Sequence, residues 1–274
     1  MMAGLLGLYA KAGLTGFLRD GKGSLPTSEY RREAVLVDRE HLAQYNKVCG
    51  FGLRDELPVT YPHILAFPMQ IELMTQRDFP FALPGLVHIA NSITVSGPLR
   101  LGEPFDLRVH AVDLREHERG KQFDVISEAT VDGAVVWRDV STYLRKGGGS
   151  GSPAAGERAE PPRPSAVWQG PSDIGRRYGE VSGDRNPIHL HPLTAKAFGF
   201  PTAIAHGMWS KARCVAALEG RLPEAYTVSA RFKLPVLLPA KVGFSAQATE
   251  QGWQFALHDL RTGKPHLSGE AVSS

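Results

Sequence analysis

Residues 207–234 read GMWSKARCVAALEGRLPEAYTVSARFKL. The stretch 207–219 is mostly apolar and predicts a long helix, which Gly220 can close in a left-handed cap. After residue 226 the period changes. Val228, Ala230 and Phe232 alternate with Ser229, Arg231 and Lys233, as a half-buried strand requires. Strand-like runs follow at 240–250, 253–260 and 266–272. One long helix followed by an antiparallel set of strands predicts an α+β layer with the sheet wrapped around the helix. Upstream, 172–181 predicts a helix. His191 and Pro192 can start a short one that Gly199 ends, because proline fits a first helical turn.

The same order recurs earlier in the chain. Residues 62–76 predict a long helix, and 105–113, 121–131 and 135–144 predict strands. Three local matches support a duplication. Tyr45-Asn-Lys-Val-Cys-Gly50-Phe51 aligns with Tyr178-Gly-Glu-Val-Ser-Gly183-Asp184. Thr60-Tyr-Pro-His63 resembles Thr202-Ala-Ile-Ala-His206, and Ile93-Thr-Val-Ser-Gly-Pro98 sits like Ala230-Arg-Phe-Lys-Leu-Pro235. Between the halves, 147–165 reads GGGSGSPAAGERAEPPRPS. Twelve of its nineteen residues are Gly, Pro or Ser, too few apolar groups to join a core, so a linker is expected. The expected division is 1–146, a linker at 147–165, and 166–274.

The chain has 274 residues, of which 42% are apolar and 22% charged, an ordinary globular balance for about two domains. A formal net charge of +3 does not point to nucleic acid as a partner. Cys49 and Cys214 cannot build a disulfide framework, which favours a reducing compartment. The apolar N-terminal stretch lacks a basic lead-in, and Lys11 and Arg19 interrupt it before a membrane span could form. A cytoplasmic protein without stable membrane insertion is expected. The 1–18 segment is read as a tail that could still touch a membrane or a partner.

The chemistry concentrates in Tyr178-Gly-Glu-Val-Ser-Gly-Asp184-Arg-Asn186-Pro187-Ile-His189. Pro187 pushes Asn186 out of helical geometry, so a loop is expected there. Such a loop can aim the Asp184 carboxylate and the His189 imidazole at one water, an arrangement suited to general acid–base work near neutral pH. Downstream, Ala205-His206-Gly207-Met208 opens the long helix. Backbone N–H groups at a helix start suit a carbonyl oxygen that gains negative charge, and Gly207 permits close approach. Together these groups fit addition of water to a double bond conjugated with a carbonyl.

The run YGEVSGDRNPIH with the downstream IAHGM resembles the MaoC-like (R)-specific enoyl-thioester hydratases, also called hydratase 2. Over its whole length the chain looks like the double-hotdog 3-hydroxyacyl-thioester dehydratases of actinobacterial type. The resemblance implies two antiparallel sheets, each around a long central helix. It implies reversible hydration of a trans-2-enoyl thioester to the (R)-3-hydroxyacyl thioester, in fatty acid metabolism, without metal or redox cofactor. Asp184 and His189 would be the catalytic pair. Asn186 would support the loop, and the Gly207 N–H would bind the thioester oxygen. Ser182, Gly183, His206 and Met208 are the candidate substrate contacts. The acyl group would be carried on coenzyme A or an acyl carrier protein, and a homodimer is the expected assembly. Some single-hotdog relatives carry a serine about where Val215 falls, a departure that touches a secondary polar contact only.

In the N-terminal half Phe51 occupies the position of Asp184. Gly50 to His63 spans 13 residues where Gly183 to His206 spans 23, so the Asn-Pro-x-His turn is missing. The N-terminal half is therefore expected to accommodate substrate rather than to catalyse. Room beside its long helix, lined by Phe67, Met69, Ile71, Leu73 and Met74, could take an acyl chain, although core packing explains those residues as well. Other readings stand beside these. His189, His191 and Asp184 could ligate a metal, but the Asn-Pro setting favours hydration. His63, His88 and His206 can be structural, and Cys214 reads as core. Arg100, Arg108, Arg115, Arg119, Arg176, Arg177 and Lys211 could meet phosphates, with a solvated surface the plainer role. A hotdog thioesterase and a non-catalytic acyl-binding or assembly subunit are the rival functions.

Overall fold

The computed structural model describes residues 23–147 and 162–273. The 1–18 tail and most of the expected linker lie outside the described residues. No described helix is long and apolar enough to cross a membrane.

Each half opens with a strand and an amphipathic helix. In the first, β1 (Tyr30–Val35) leads to α1 (Arg39–Cys49). Asp38 caps α1 by accepting from the N–H groups of Glu40 and His41, and Leu42, Tyr45, Asn46 and Cys49 form its buried face. In the second, β6 (Ala166–Gly170) leads to α3 (Ile174–Ser182). Gly50 and Gly183 cap α1 and α3 at φ 83° and 76°, a backbone region that favours glycine.

The longer helices follow. α2 (Tyr61–Thr75) has Pro62 in its first turn and is buried on nearly every side. α6 (Gly207–Ala216) is its counterpart. The helix expected to reach Glu219 ends at Ala216. The N–H groups of Leu218 and Glu219 bond three residues back, which tightens the chain into a turn before Gly220. Between α3 and α6 the second half inserts two short helices, α4 (Pro187–Leu190) and α5 (Pro192–Ala197). The segment read as loop thus contains a helical turn. Asn186 does stay extended, as its following proline demands, and acts as the N-cap of α4.

The remaining strands are β2 (Leu86–Val95), β3 (Phe105–His117), β4 (Gly120–Val131), β5 (Ala134–Lys146), β7 (Tyr226–Phe232), β8 (Ala240–Thr249), β9 (Gly252–Asp259) and β10 (Pro265–Ser273). Two separate sheets were expected. The strands instead form one continuous antiparallel sheet of ten, in the order β1-β3-β4-β5-β2-β7-β10-β9-β8-β6. The order repeats: β1-β3-β4-β5-β2 in one half corresponds strand for strand to β6-β8-β9-β10-β7 in the other. The two edges that a separate pair of sheets would expose are joined, β2 to β7, which satisfies their backbone groups.

At this seam Ser92 lies directly opposite Ser229, with their hydroxyls 2.8 Å apart. The alignment that pairs Ile93 with Ala230 also pairs Ser92 with Ser229. A residue facing its own equivalent marks a local two-fold axis. Contacts across the helices reinforce the seam. The rings of Tyr45 and Tyr178, also equivalent, lie 6.4 Å apart. The Trp209 indole N–H donates to the Val48 carbonyl at 3.1 Å, and His41 bridges the Tyr61 hydroxyl and the Val181 carbonyl at 2.8 Å each.

Candidate active site

The loop after Gly183 is shaped by its own polar groups. The Asp184 N–H donates to Ser182 Oγ at 3.1 Å, and Asp184 Oδ1 accepts the Asn186 N–H at 3.1 Å. Asn186 Oδ1 in turn accepts the Ile188 N–H at 3.4 Å. Ser182 is buried and Gly183 is the helix cap, so both are engaged in building the turn. Asn186 thereby caps the short helix α4.

Three hydrogen bonds fasten this loop to the segment that leads into α6. The Ile204 N–H donates to the Ile188 carbonyl at 3.1 Å. His189 Nδ1 donates to the Ile204 carbonyl at 2.8 Å, and His206 Nε2 donates to the Asp184 carbonyl at 3.0 Å. A carbonyl can only accept, so these bonds fix both tautomers. They leave His189 Nε2 and His206 Nδ1 as the acceptor nitrogens. The two rings stack at 3.7 Å, and Tyr178 packs on His206 at 4.9 Å.

Asp184, His189 and His206 come together with an atom of each within 4.8 Å of the others. Burial pulls the His189 imidazole below its ordinary value despite the Asp184 charge that opposes it. Burial, reinforced by His189, pulls His206 down to about 3. Both rings are neutral at neutral pH, beside a carboxylate whose side chain is 24% exposed. The same three side chains are the group among the described residues that could hold a metal ion. Neighbouring ligands around a tetrahedral zinc, with bonds of about 2.1 Å, sit about 3.5 Å apart. A water bonded to two groups at about 2.8 Å spans about 4.6 Å, and a cluster whose atoms lie within 4.8 Å of one another, with His206 Nε2 3.7 Å from Asp184 Oδ2, has room for either. His191, the other histidine of the expected ligand set, is elsewhere: it is exposed and caps α5, accepting the Leu193 N–H at 3.1 Å.

Gly207 begins α6 immediately after His206, and no side chain caps this helix. Its first N–H groups have no acceptor within the helix, and the dipole adds partial positive charge there. A Cβ on Gly207 would lie 3.1 Å from the Phe232 ring, so the missing side chain also serves packing. Met208 is buried in the core. So are Phe67, Met69, Ile71, Leu73 and Met74.

Several contributors were not read from the sequence. A Cβ on Gly175 would overlap the His189 carbonyl oxygen, and one on Gly179 would come within 2.8 Å of the Asp184 carbonyl oxygen. These glycines, four apart on α3, let the loop lie directly on the helix. Their i,i+4 spacing was the available signal. Lys211, expected at the surface, is fully buried. Taking an ammonium out of water costs several kcal/mol. Hydrogen bonds from a charged group contribute about 1.5–3 kcal/mol each, so three of them offset part of that cost. Lys211 has three: to the Val228 carbonyl at 2.9 Å, to the Asn91 carbonyl at 3.2 Å and to Asn91 Oδ1. Arg108 pairs with Glu29 and Glu128, and Arg115 with Asp113 and Asp124. His63 is buried and donates to Asp139 at 2.5 Å. Cys49 and Cys214 are buried free thiols, and burial pushes both well above the usual thiol range.

Known proteins resemble this chain in sequence and fold. The model described as a MaoC like domain matches residues 152–269. The 3-hydroxyacyl-thioester dehydratase X of Mycobacterium tuberculosis is 40% identical over 271 residues, covering 94% of this chain and 96% of that one. The chain belongs to the MaoC-like dehydratase family. The crystal structure of HtdX from M. tuberculosis superposes with a TM-score of 0.81 at 37% identity, over 90% of this chain and all of that one. The fold is accordingly an α+β fold of the hotdog type. A MaoC-like dehydratase from Phytophthora capsici, 18% identical, gives a TM-score of 0.74 over 91% of this chain and 96% of that one, a likeness of fold. Within this MaoC-like chain, the family model spans the half that carries Asp184, His189 and Gly207.

Proposed function

We propose that this protein is a hydro-lyase that interconverts trans-2-enoyl thioesters and (R)-3-hydroxyacyl thioesters. The observation that carries the reading is the meeting of Asp184 and His189, within 4.8 Å of one another and so within reach of one shared water, beside the uncapped start of α6. The names of the relatives support it.

In the hydration direction the water lies between the Asp184 carboxylate and the neutral His189 Nε2. The pair removes one water proton while the oxygen bonds to C3 of the substrate. The C2–C3 π electrons move toward the thioester carbonyl, whose oxygen takes the negative charge at the Gly207 N–H. Return of the proton from the pair to C2 restores the carbonyl. The product has gained H and OH from one water, and the pair is regenerated. Dehydration is the same path reversed. His189 stays neutral because burial disfavours its charged form.

Residues 166–274 are the catalytic unit in this reading and residues 1–146 accommodate the substrate. In this reading the acyl chain, presented by coenzyme A or an acyl carrier protein, lies on the side of α2 where the first half lacks the Asn-Pro-x-His turn. A hydration assay from four-carbon to long-chain enoyl thioesters, with the product configuration determined, tests both parts. Turnover of longer chains to the (R) product is expected. Strict selectivity for four-carbon substrates would overturn the role given to the N-terminal half. Release of free thiol without hydration would overturn the hydro-lyase and indicate a thioesterase.

A further inference from the structure

Lys211 stands one turn into α6, four residues after Gly207. Its three acceptors lie on adjacent strands from different halves, Asn91 on β2 and Val228 on β7. The contact continues into the N-terminal half. Asn91 Nδ2 donates to Asp139 Oδ1 at 2.5 Å and to Ser141 Oγ at 3.0 Å. The other Asp139 oxygen accepts from His63, in the first turn of α2. A fully buried chain of polar groups therefore runs from the first turns of α6 to the first turn of α2, through the seam. On the opposite side of Gly207, the Phe232 ring fills the space of the absent side chain, and His88 supports that ring edge-on at 5.1 Å.

We propose that Lys211 is a positioning residue for hydration: its ammonium, balanced by Asp139 across the seam, holds the start of α6 so that the Gly207 N–H meets the thioester oxygen. This rests on Gly207 as the oxyanion donor. The fit is specific to the charged form. An ammonium has three N–H groups for three oxygens, whereas a neutral amine has two and leaves one buried acceptor unpaired. The ionisable groups that act on Lys211 are Asp139 from β5 and His88 from β2, and His63 from α2 is hydrogen-bonded to Asp139. Burial brings Lys211 down to about 7, with the Asp139 charge opposing that fall.

The sign separates positioning from mere support. Between about 7 and its ordinary value of 10.5, Lys211 is neutral in the folded chain and charged in the unfolded one. The unfolded chain then binds more protons, so this group makes stability rise with pH across that window. The three-donor clamp is lost as pH rises through about 7, where that window opens. Turnover should therefore fall while thermal stability does not.

The test compares wild type, Lys211→Met and Asp139→Asn by pH profiles of kcat and KM on an enoyl-CoA, and by hydrogen exchange of the first turn of α6. Lys211→Met is expected to lower kcat roughly 30-fold with KM within about twofold, because a displaced oxyanion donor is felt mainly in the transition state. Exchange at residues 207–210 should quicken, and the alkaline fall in kcat should disappear. Asp139→Asn, which keeps the shape and removes the charge, should move that alkaline fall to lower pH. Wild-type kcat and exchange in Lys211→Met would overturn the proposal. So would an unmoved alkaline limb in Asp139→Asn, which decides the matter if Lys211→Met does not fold. A wild-type enzyme without hydration activity would instead refute the hydro-lyase reading, and the exchange comparison would still judge the clamp.

Discussion

Helices α1 and α3 both end on a left-handed glycine, Gly50 and Gly183, and beyond those glycines the two halves part. After Gly183 come Asp184, the Asn-Pro turn, α4 and α5. After Gly50 comes Phe51, whose ring stacks on Tyr45 at 6.2 Å. The preceding helices have adapted to that difference. The alignment places Leu42 and Asn46 opposite Gly175 and Gly179. The glycines give backbone room to the loop that carries Asp184 and His189. Leu42 is core instead, and the Asn46 side chain donates to the Gly52 carbonyl at 2.9 Å, closing the shorter connection itself. One repeat unit thus carries either a side chain or a loop on the same helix face, and the proposed chemistry follows the loop.

The largest effect outside the acid–base pair is expected at Gly175. Gly175→Ala should lower hydration on the order of 10²-fold, since its Cβ would displace the His189 carbonyl and with it the imidazole. Leu42→Ala, at the matching position, should reduce the melting temperature through a lost core side chain and leave kcat within about twofold. Equal losses of turnover in both would break the comparison between the halves.

A smaller effect concerns acid. Burial holds His206 and His88 down to about 3, whereas an unfolded histidine titrates near 6.5. The unfolded chain therefore binds more protons below 6.5, and stability should fall as pH drops from there toward 3. Melting temperatures at pH 7.5 and 5 should show it. His88 Nε2 is a buried nitrogen without a hydrogen-bond partner, so His88→Phe should blunt the acid loss at little cost to packing. An undiminished pH dependence in that variant would remove His88 from the account. The smallest effect is expected from Phe51→Asp. A carboxylate there meets no Asn-Pro-x-His turn, so no second activity should appear and turnover should stay within about twofold.

The longer helices of both halves and most strands were legible because apolar periodicity is local, whereas α1, the turn of α4, β1 and β6 were not read. β2 was not read as a strand. Its LVHIANSITV run carries His88, Asn91 and Ser92 without clean alternation, since those groups serve the seam. The single sheet was hidden for the same reason: β2 meets β7 across a separation in the chain that no local pattern reports. Asp184, Asn186 and His189 were legible because one short turn holds all three. His206 joins them only through the Asp184 carbonyl, a contact set by how α6 docks. Lys211 was misplaced because lysine is ordinarily exposed, and only the fold brings three oxygens to its ammonium.

The most direct test is the rate of enoyl-CoA hydration by folded Asp184→Asn beside wild type. Loss of roughly 10³-fold in kcat with an unchanged melting temperature is predicted, because the amide keeps the turn and loses the base. Wild-type turnover in that variant would contradict the assignment of the chemistry to the second half.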